Sequence, residues 1–313
     1  MPGGSGGAGR HRFSRRRLLA LGGVGTAAVA VAGLELASHG VVPGQQFLDS
    51  IDGACSLPRS TFEFGPIGPS LTGRFFSSER RRFVGYTIGY PPGHRPGDPL
   101  ALVIMLHGFG GDHTNALSGM SPAQAVALEP DGTPVAPLAM VTVDGGGGYW
   151  NPHPNDNPMG MITGELIPMC QAMGLGAPPN SIGTMGTSMG GYGALLLAER
   201  YPHLIRAVAA ISPAIWTSYD QARAANAGAY ASARDFEDCD AVTHARALAG
   251  TPVRIASGDR DPFHPGVAAL ATALPSGAVV EFSKGCHDGA FFDQEEPPSL
   301  AFLGRHLTDA PGG

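Results

Sequence analysis

Short apolar segments alternate with stretches of helical spacing along most of the chain. Residues 83–90 alternate in the manner of a strand, and Pro91-Pro92-Gly93 ends this segment. Residues 100–106 are continuously apolar, as in a strand buried on both faces of a mostly parallel sheet. Further strands are predicted at residues 138–143, 181–185, 207–211, 253–256 and 278–282. Helices are predicted at residues 163–173, 190–200, 241–248, 266–274 and 299–307. The alternation predicts an α/β fold with one mostly parallel central sheet flanked by helices.

The first forty residues have a different pattern. Ser14-Arg15-Arg16-Arg17-Leu18-Leu19 resembles a twin-arginine export signal, and an Ala/Gly-rich apolar stretch follows as far as about Leu34. A basic segment before an apolar one is typical of such signals. The apolar stretch is short compared with the ~20 residues that span a bilayer. We therefore predict a removable export signal over residues 1–40, with an N-terminal membrane anchor as the alternative.

The remaining chain is predicted to hold one folded unit. Residues 41–74 form a Pro/Gly-rich lead-in, and the strand and helix patterns fill residues 75–310 without an internal repeat or linker.

Small residues at Ala30/Ala32 and at Ser38/Gly40 both fit a signal cleavage site. We expect an exported protein, secreted or associated with the cell envelope.

Composition and charge narrow the function. The hydrophobic fraction is 43%, enough for a sizeable core, while 47 glycines and 28 prolines indicate many turns. The formal net charge is −6, which argues against binding of nucleic acid through a basic surface. No dinucleotide or phosphate-loop motif occurs in a strand-to-helix context, so no cofactor is predicted.

Four cysteines, Cys55, Cys170, Cys239 and Cys286, occur in a chain that we expect to reach an oxidising compartment. One or two disulfides are consistent with an even number, and four cysteines allow three connectivities. No Cys-x-x-Cys spacing is present, so no metal site is predicted.

The clearest chemical motif is Gly186-Thr187-Ser188-Met189-Gly190, between a predicted strand and a predicted helix. A serine on such a sharp turn projects its hydroxyl above the sheet, and the glycines on either side avoid Cβ collisions. The helix behind it directs N–H groups at the same point, which favours an anionic intermediate. We predict Ser188 as a nucleophile.

A serine nucleophile needs a general base. Where the serine lies on a strand-to-helix turn of this kind, the usual order along the chain is serine, acid, histidine. His287 directly follows the last predicted strand and is the predicted base. The acid follows residues 253–256, where Asp261 is preferred and Asp259 stays the alternative, as a turn residue. The base must be neutral to act, so we expect activity to fall at acid pH.

The segment His107-Gly108-Phe109-Gly110-Gly111 follows the buried run 100–106 and has the composition of an oxyanion turn. Its glycines allow the backbone to approach a carbonyl under attack. We predict that the main-chain N–H groups of Phe109 and Met189 form the oxyanion hole. His107 is predicted to brace the turn rather than to act as a base.

These motifs together resemble a known family. Gly186–Leu195, Tyr201-Pro202, Ser212-Pro213-Ala214-Ile215-Trp216, residues 106–112 and residues 144–150 are similar to those of the esterase family that includes S-formylglutathione hydrolases, feruloyl and acetyl-xylan esterases, and secreted mycolyltransferases. The resemblance covers roughly residues 72–305. It implies an α/β-hydrolase fold with Ser188 as nucleophile, His287 as base and an acid at Asp261.

The resemblance also draws attention to the glycine-rich loop over residues 144–150. Tyr149 and Trp150 are predicted to contact substrate there, and core packing of Trp150 is an equal alternative.

Three functions stay open at this point. The preferred one is a secreted serine carboxylesterase acting on a small-molecule, lipid or glycan ester. The others are an acyltransferase with the same catalytic residues and a non-catalytic exported binding protein on this scaffold.

Overall fold

The computed structural model describes Cys55, residues 67–117 and residues 119–308. The predicted export signal over residues 1–40 and most of the predicted lead-in over residues 41–74 lie outside these residues. No helix in the described part of the chain is both long enough and apolar enough to cross a bilayer.

Eight strands form one sheet. They are β1 (Ser70–Ser77), β2 (Arg82–Gly89), β3 (Ala101–Leu106), β4 (Leu138–Val143), β5 (Ile182–Thr187), β6 (Ala207–Ile211), β7 (Val253–Gly258) and β8 (Val279–Ser283). The order across the sheet is β1-β2-β4-β3-β5-β6-β7-β8. The β1–β2 and β2–β4 pairs are antiparallel, and all pairs from β4 to β8 are parallel. The mostly parallel sheet predicted from the apolar runs is therefore present.

Helical segments connect the strands. They are α1 (Met120–Val126), α2 (Pro158–Met161), a π-helical turn (Ile162–Leu166), α3 (Ile167–Ala172), α4 (Met189–Arg200), α5 (Tyr219–Ala225), α6 (Ala233–Asp238), α7 (Ala241–His244), a 3₁₀ turn (Ala245–Leu248), α8 (His264–Ala273) and α9 (Gly289–Thr308). One apolar core lies between the sheet and α2 to α4, α7 and α8. A second lies on the opposite face, beneath α1 and α9.

The structure contains α1, α5 and α6, which the helical spacing did not predict, and a π-helical turn lies within the helix predicted at residues 163–173. Two further differences concern β1 and α9. β1 begins at Ser70, so the sheet begins before the predicted domain boundary at residue 75. Its residues are mostly exposed because it is the edge strand, and an edge strand carries little of the apolar pattern on which the prediction relied. α9 begins at Gly289, ten residues before the predicted start, and contains Pro297 and Pro298. Prolines usually end a helix, which is why the pattern predicted only its second half.

One disulfide joins Cys55 to Cys286, across 231 positions of sequence. Cys170 and Cys239 are buried free thiols. The sequence predicted one or two disulfides, and the structure contains one. This disulfide fixes a segment that precedes the sheet to the loop that follows β8.

Candidate active site

The Ser188 turn lies where β5 ends and α4 begins, at the carboxyl edge of the sheet. Ser188 has φ 55° and ψ −123°, a conformation that non-glycine residues rarely adopt. Three main-chain hydrogen bonds hold it: the Ser188 N–H donates to Ile211 at 3.0 Å, and the Ser188 carbonyl accepts from Ala214 and Tyr192 at 3.0 and 3.1 Å. The surrounding structure thus enforces a backbone conformation that presents the side chain above the sheet.

The glycines of this turn are required sterically. A Cβ on Gly190 would lie 1.8 Å from the carbonyl oxygen of Leu106, and one on Gly186 would lie 2.4 Å from the backbone of Gly190. Both obstacles are main-chain atoms, which cannot move aside as a flexible side chain could. The collision invoked to explain the motif is therefore present, and it arises because α4 packs closely on the end of β3.

Ser188, His287 and Asp261 come together in one hydrogen-bonded chain. Nε2 of His287 lies 2.8 Å from Oγ of Ser188, and Nδ1 lies 2.9 Å from Oδ2 of Asp261. An ionised carboxylate only accepts hydrogen bonds, so Nδ1 carries the proton and Nε2 is left to accept one from the serine. The imidazole is thus oriented as a base for the serine hydroxyl.

The two candidate acids occupy different positions. The side chain of Asp261 is fully buried, and its second oxygen accepts the Phe263 N–H at 2.8 Å. Asp259 is exposed and accepts the Gly285 N–H at 3.1 Å. The structure therefore brings Asp261 to the imidazole, while Asp259 tethers the loop two residues before His287.

Aromatic rings flank the imidazole of His287. The Phe263 ring centre is 5.1 Å away and the Phe292 ring centre is 5.2 Å away, the latter edge to face. Only 13% of the His287 side chain is exposed. Because apolar neighbours exclude water from one side of the chain of hydrogen bonds, its electrostatic interactions are stronger than they would be in bulk solvent.

The predicted oxyanion turn lies beside the serine. A Cβ on Gly108 would be 3.6 Å from Cβ of Ser188, so the turn is within contact distance of Ser188. Met189 is the first residue of α4, and its N–H has no acceptor within the helix. The Gly108 carbonyl accepts from His107 Nδ1 at 2.8 Å and from the Gly111 N–H at 3.0 Å. Since the peptide is trans, the Phe109 N–H points away from these two donors.

The predicted substrate contact of Trp150 disagrees with its position and is corrected here. Its side chain is 0% exposed, and its indole N–H donates to the His107 carbonyl at 3.3 Å. The indole lies between Gly145 and Gly193, where a Cβ on either residue would come within 2.5 Å of the ring. Trp150 therefore packs behind the turn as a core residue.

Tyr149, the other residue predicted to contact substrate, is also buried. It is 4% exposed, and its ring centre lies 5.7 Å from that of Tyr192 and 6.0 Å from that of Tyr230. The aromatic character that drew attention to both residues belongs to a core cluster. Both residues have positive φ, a conformation that non-glycine residues rarely adopt.

A cluster with three potential metal ligands occurs among the described residues at Cys55, Cys286 and Asp288. Its two sulfurs are joined in the disulfide, so they are not available as thiolates.

A buried carboxyl beside the site that the sequence analysis missed is that of Glu296. It lies on the first half of α9, which the prolines hid from the helix prediction. Continuation of the helical spacing backward from residue 299 would have placed Glu296 on the inward face with Leu300 and Leu303.

The sheet order and the serine turn at its carboxyl edge define an α/β-hydrolase. The family model described as "Putative esterase" matches residues 81–273, more than half of the chain, so the chain belongs to this esterase family. Family membership supports ester hydrolysis, with small-molecule esters as the class of substrate. The suspected resemblance is thus confirmed. No curated protein matches the chain significantly.

Solved structures of esterases share the fold. A ferulic acid esterase superposes with a TM-score of 0.64 at 17% identity, covering 77% of this chain and 100% of that one. An S-formylglutathione hydrolase from Agrobacterium tumefaciens gives 0.62 at 18% identity, covering 80% and 99%. The Staphylococcus aureus fluorophosphonate-binding serine hydrolase FphF gives 0.57 at 17% identity, covering 76% and 99%. At these identities the likeness concerns the fold.

Proposed function

We propose that this protein is an exported serine carboxylesterase that hydrolyses its substrate through an acyl-enzyme on Ser188. The observation that carries the proposal is the unbroken chain from Ser188 Oγ through His287 to Asp261, with contacts of 2.8 and 2.9 Å. A serine hydroxyl is a weak nucleophile without such a base.

The first half of the reaction forms the acyl-enzyme. Oγ of Ser188 attacks the ester carbonyl carbon while its proton passes to Nε2 of His287. The main-chain N–H groups of Phe109 and Met189 stabilise the negative oxygen of the tetrahedral intermediate. This intermediate collapses when the C–O bond to the alcohol breaks, and the leaving alcohol takes the proton from His287. Asp261 stabilises the transient imidazolium and holds the ring in place.

The second half restores the enzyme. Water attacks the acyl carbon and gives a proton to Nε2 of His287. The second tetrahedral intermediate releases the carboxylic acid, and Ser188 recovers its proton from His287. Each cycle consumes one ester and one water and yields one acid and one alcohol, with no net change in the protein.

The test of serine catalysis is Ser188→Ala with Ser276→Ala as the matched control, because Ser276 is an exposed turn residue. We expect Ser188→Ala to abolish hydrolysis of p-nitrophenyl esters and covalent labelling by a fluorophosphonate, with an unchanged circular dichroism spectrum. Ser276→Ala should retain both. Turnover by the folded Ser188→Ala variant would overturn the assignment. Acyl transfer outpacing hydrolysis when a sugar acceptor is in excess would favour the acyltransferase instead.

Export is proposed from the arginines that precede the apolar stretch near the N-terminus. Fusion of residues 1–40 to a reporter enzyme should direct it out of the cytoplasm. Replacement of Arg15, Arg16 and Arg17 by glutamine should retain it inside. Export of the substituted fusion would contradict a twin-arginine signal.

A further inference from the structure

A cavity of about 200 Å³ lies next to the Ser188 turn, on the side of α1 and α9. Gly108 and Thr187, which flank Ser188, form part of its wall. Phe292, whose ring packs against the imidazole of His287, forms another part. The cavity is therefore adjacent to the point at which an ester carbonyl would be attacked, and it is large enough for a small substituent of the substrate.

Glu296 contributes a buried carboxyl to this cavity. The residue is 7% exposed and makes no hydrogen bond or ion pair with another described residue. The carboxyl lies directly against Gly119, where a Cβ would be 2.7 Å from Oε2, so the glycine leaves room for it. Because Glu296 lines the cavity wall, a ligand bound there could reach its carboxyl and form a hydrogen bond with it.

The protonation state of Glu296 indicates the chemistry of that ligand. Burial, with a smaller contribution from the nearby Asp293 carboxylate, raises the pKa of this carboxyl to about 8. At neutral pH the group is mostly the neutral acid, which donates one hydrogen bond and accepts others. A hydroxyl, which also donates and accepts, is its natural complement.

The rest of the wall excludes charged alternatives. No lysine or arginine lines the cavity, and Asp293 adds negative charge, so a carboxylate or phosphate on the substrate would be repelled. Met105, Leu106, Ala116 and Met120 provide apolar surface around the polar end. Asn115, Thr187 and Asp293 also line the cavity, so its wall is of mixed polar and apolar character, and Glu296 is the buried carboxyl within it.

We propose that this cavity is a specificity pocket that binds a hydroxyl group of the ester substrate, with the Glu296 carboxyl as its hydrogen-bonding partner. The inference rests on the proposed esterase function and names the substrate class: esters that carry a hydroxyl near the scissile bond. The hydroxyl belongs either to the acyl part or to the alcohol part, and the experiment has one arm for each.

The acyl arm compares p-nitrophenyl 3-hydroxybutanoate with p-nitrophenyl 3-methylbutanoate, which differ by a hydroxyl in place of a methyl group. The alcohol arm compares methyl 6-O-acetylglucoside with cyclohexylmethyl acetate, followed by acid release. In one arm we expect kcat/KM for the hydroxylated ester to exceed that of its partner by about tenfold, the effect of one good hydrogen bond. Equal kcat/KM within both pairs overturns the proposal, whatever the variants do.

Two variants of Glu296 test the residue itself. Glu296→Gln keeps a donor and an acceptor of the same shape, so the preference for the hydroxylated ester should remain within about threefold. Glu296→Leu removes both, so the preference should fall by about tenfold. Glu237→Gln, an exposed carboxyl on α6, is the matched control and should leave the preference unchanged. A preference that survives Glu296→Leu assigns the hydroxyl to another group and overturns the role of Glu296.

Three further outcomes are distinguishable. A faster reaction with p-nitrophenyl 3-aminobutanoate than with the hydroxy ester would mean that the pocket binds a cation and would overturn the hydroxyl assignment. Normal hydrolysis of p-nitrophenyl 3-methylbutanoate and cyclohexylmethyl acetate, without any preference for the hydroxylated esters, would overturn this inference while leaving the esterase proposal intact. Failure of the folded protein to hydrolyse any ester would count against the proposed function itself.

Discussion

His107 accepts the main-chain N–H of Gly145 through Nε2, at 2.9 Å. The ring proton must therefore reside on Nδ1, from which it is donated to the Gly108 carbonyl at 2.8 Å. Burial lowers the pKa of His107, so the ring stays neutral at the pH values at which an esterase works. One neutral imidazole thus ties the glycine-rich loop after β4 to the orientation of the peptide between Gly108 and Phe109.

Substitution of His107 tests whether this tie positions an oxyanion donor. His107→Ala removes both bonds and frees the Gly108 peptide to rotate, so kcat should fall by about 10²–10³ while KM changes little. His107→Asn keeps a donor near the former Nδ1 position and should recover part of the loss. Steady-state kinetics on one p-nitrophenyl ester separate the two constants. A rise in KM at constant kcat would instead indicate that the ring serves substrate binding.

The two aspartates after β7 should differ sharply when each is changed to asparagine. Asp261→Asn removes the charge that stabilises the imidazolium and offers an amide N–H to Nδ1, so kcat should fall by about 10³–10⁴. Asp259→Asn still presents an oxygen to the Gly285 N–H, so kcat should fall less than about threefold. Comparable losses in the two variants would contradict the assignment of Asp261 as the acid.

The three proposed catalytic residues could be located in the sequence because each follows an apolar strand segment that the periodicity predicts. Ser188, Asp261 and His287 all follow parallel strands, whose carboxyl ends meet at one edge of the sheet. The choice between Asp259 and Asp261 depended on loop geometry two residues apart. Only the observed hydrogen bonds separate a residue that touches the imidazole from one that tethers its loop.

The pocket could not be predicted, because it depends on how distant elements pack. Trp150 follows a glycine-rich loop and has the composition of a binding residue, yet Gly145 and Gly193 leave a slot that buries its indole. Glu296 precedes two prolines, and the local rule that prolines end helices conceals its place on α9. In both cases tertiary packing overrides the local preference.

Steric constraint at the serine turn gives a prediction on stability. Gly190→Ala places a methyl group 1.8 Å from the Leu106 carbonyl oxygen, so the backbone must move and the free energy of unfolding should fall by more than about 3 kcal/mol. Gly164→Ala is the matched control, because Gly164 is exposed in the π-helical turn and its Cβ would meet nothing within 4 Å. The free energy of unfolding of Gly164→Ala should rise by about 0.5–1 kcal/mol. Guanidinium unfolding measures both, and equal effects would contradict the packing described here.

The disulfide should support both stability and catalysis, since Cys286 immediately precedes His287. Cys55→Ser removes a link that closes 231 residues, and we expect a loss of about 2–5 kcal/mol in the free energy of unfolding. The loop that carries the imidazole loses one anchor, so kcat should fall as well. Cys170→Ser changes a buried free thiol and controls for loss of a cysteine as such. Unchanged kcat in Cys55→Ser would show that Asp259 and the packing of Phe292 suffice to hold the loop.

The buried carboxyl of Glu296 makes stability depend on pH in a defined direction. Its pKa is raised from 4.5 to about 8 by burial, so between these values the folded state keeps a proton that the unfolded state releases. Stability therefore falls as pH rises through this window, by up to about 1.4 kcal/mol per pH unit, and the dependence ends above pH ~8.

Glu296→Gln lacks the titrating group and resembles the protonated acid. The free energy of unfolding of Glu296→Gln should match that of the wild type near pH ~4, below the pKa of the unfolded state, and exceed it progressively towards pH ~8. The pKa of Glu199 is likewise raised by burial, to about 7, but Glu199 is present in both proteins and cancels in the difference. Guanidinium unfolding at four pH values measures the difference, and a constant offset across pH 5–8 would mean that Glu296 is ionised in the folded protein, which would remove the basis for a neutral hydroxyl partner.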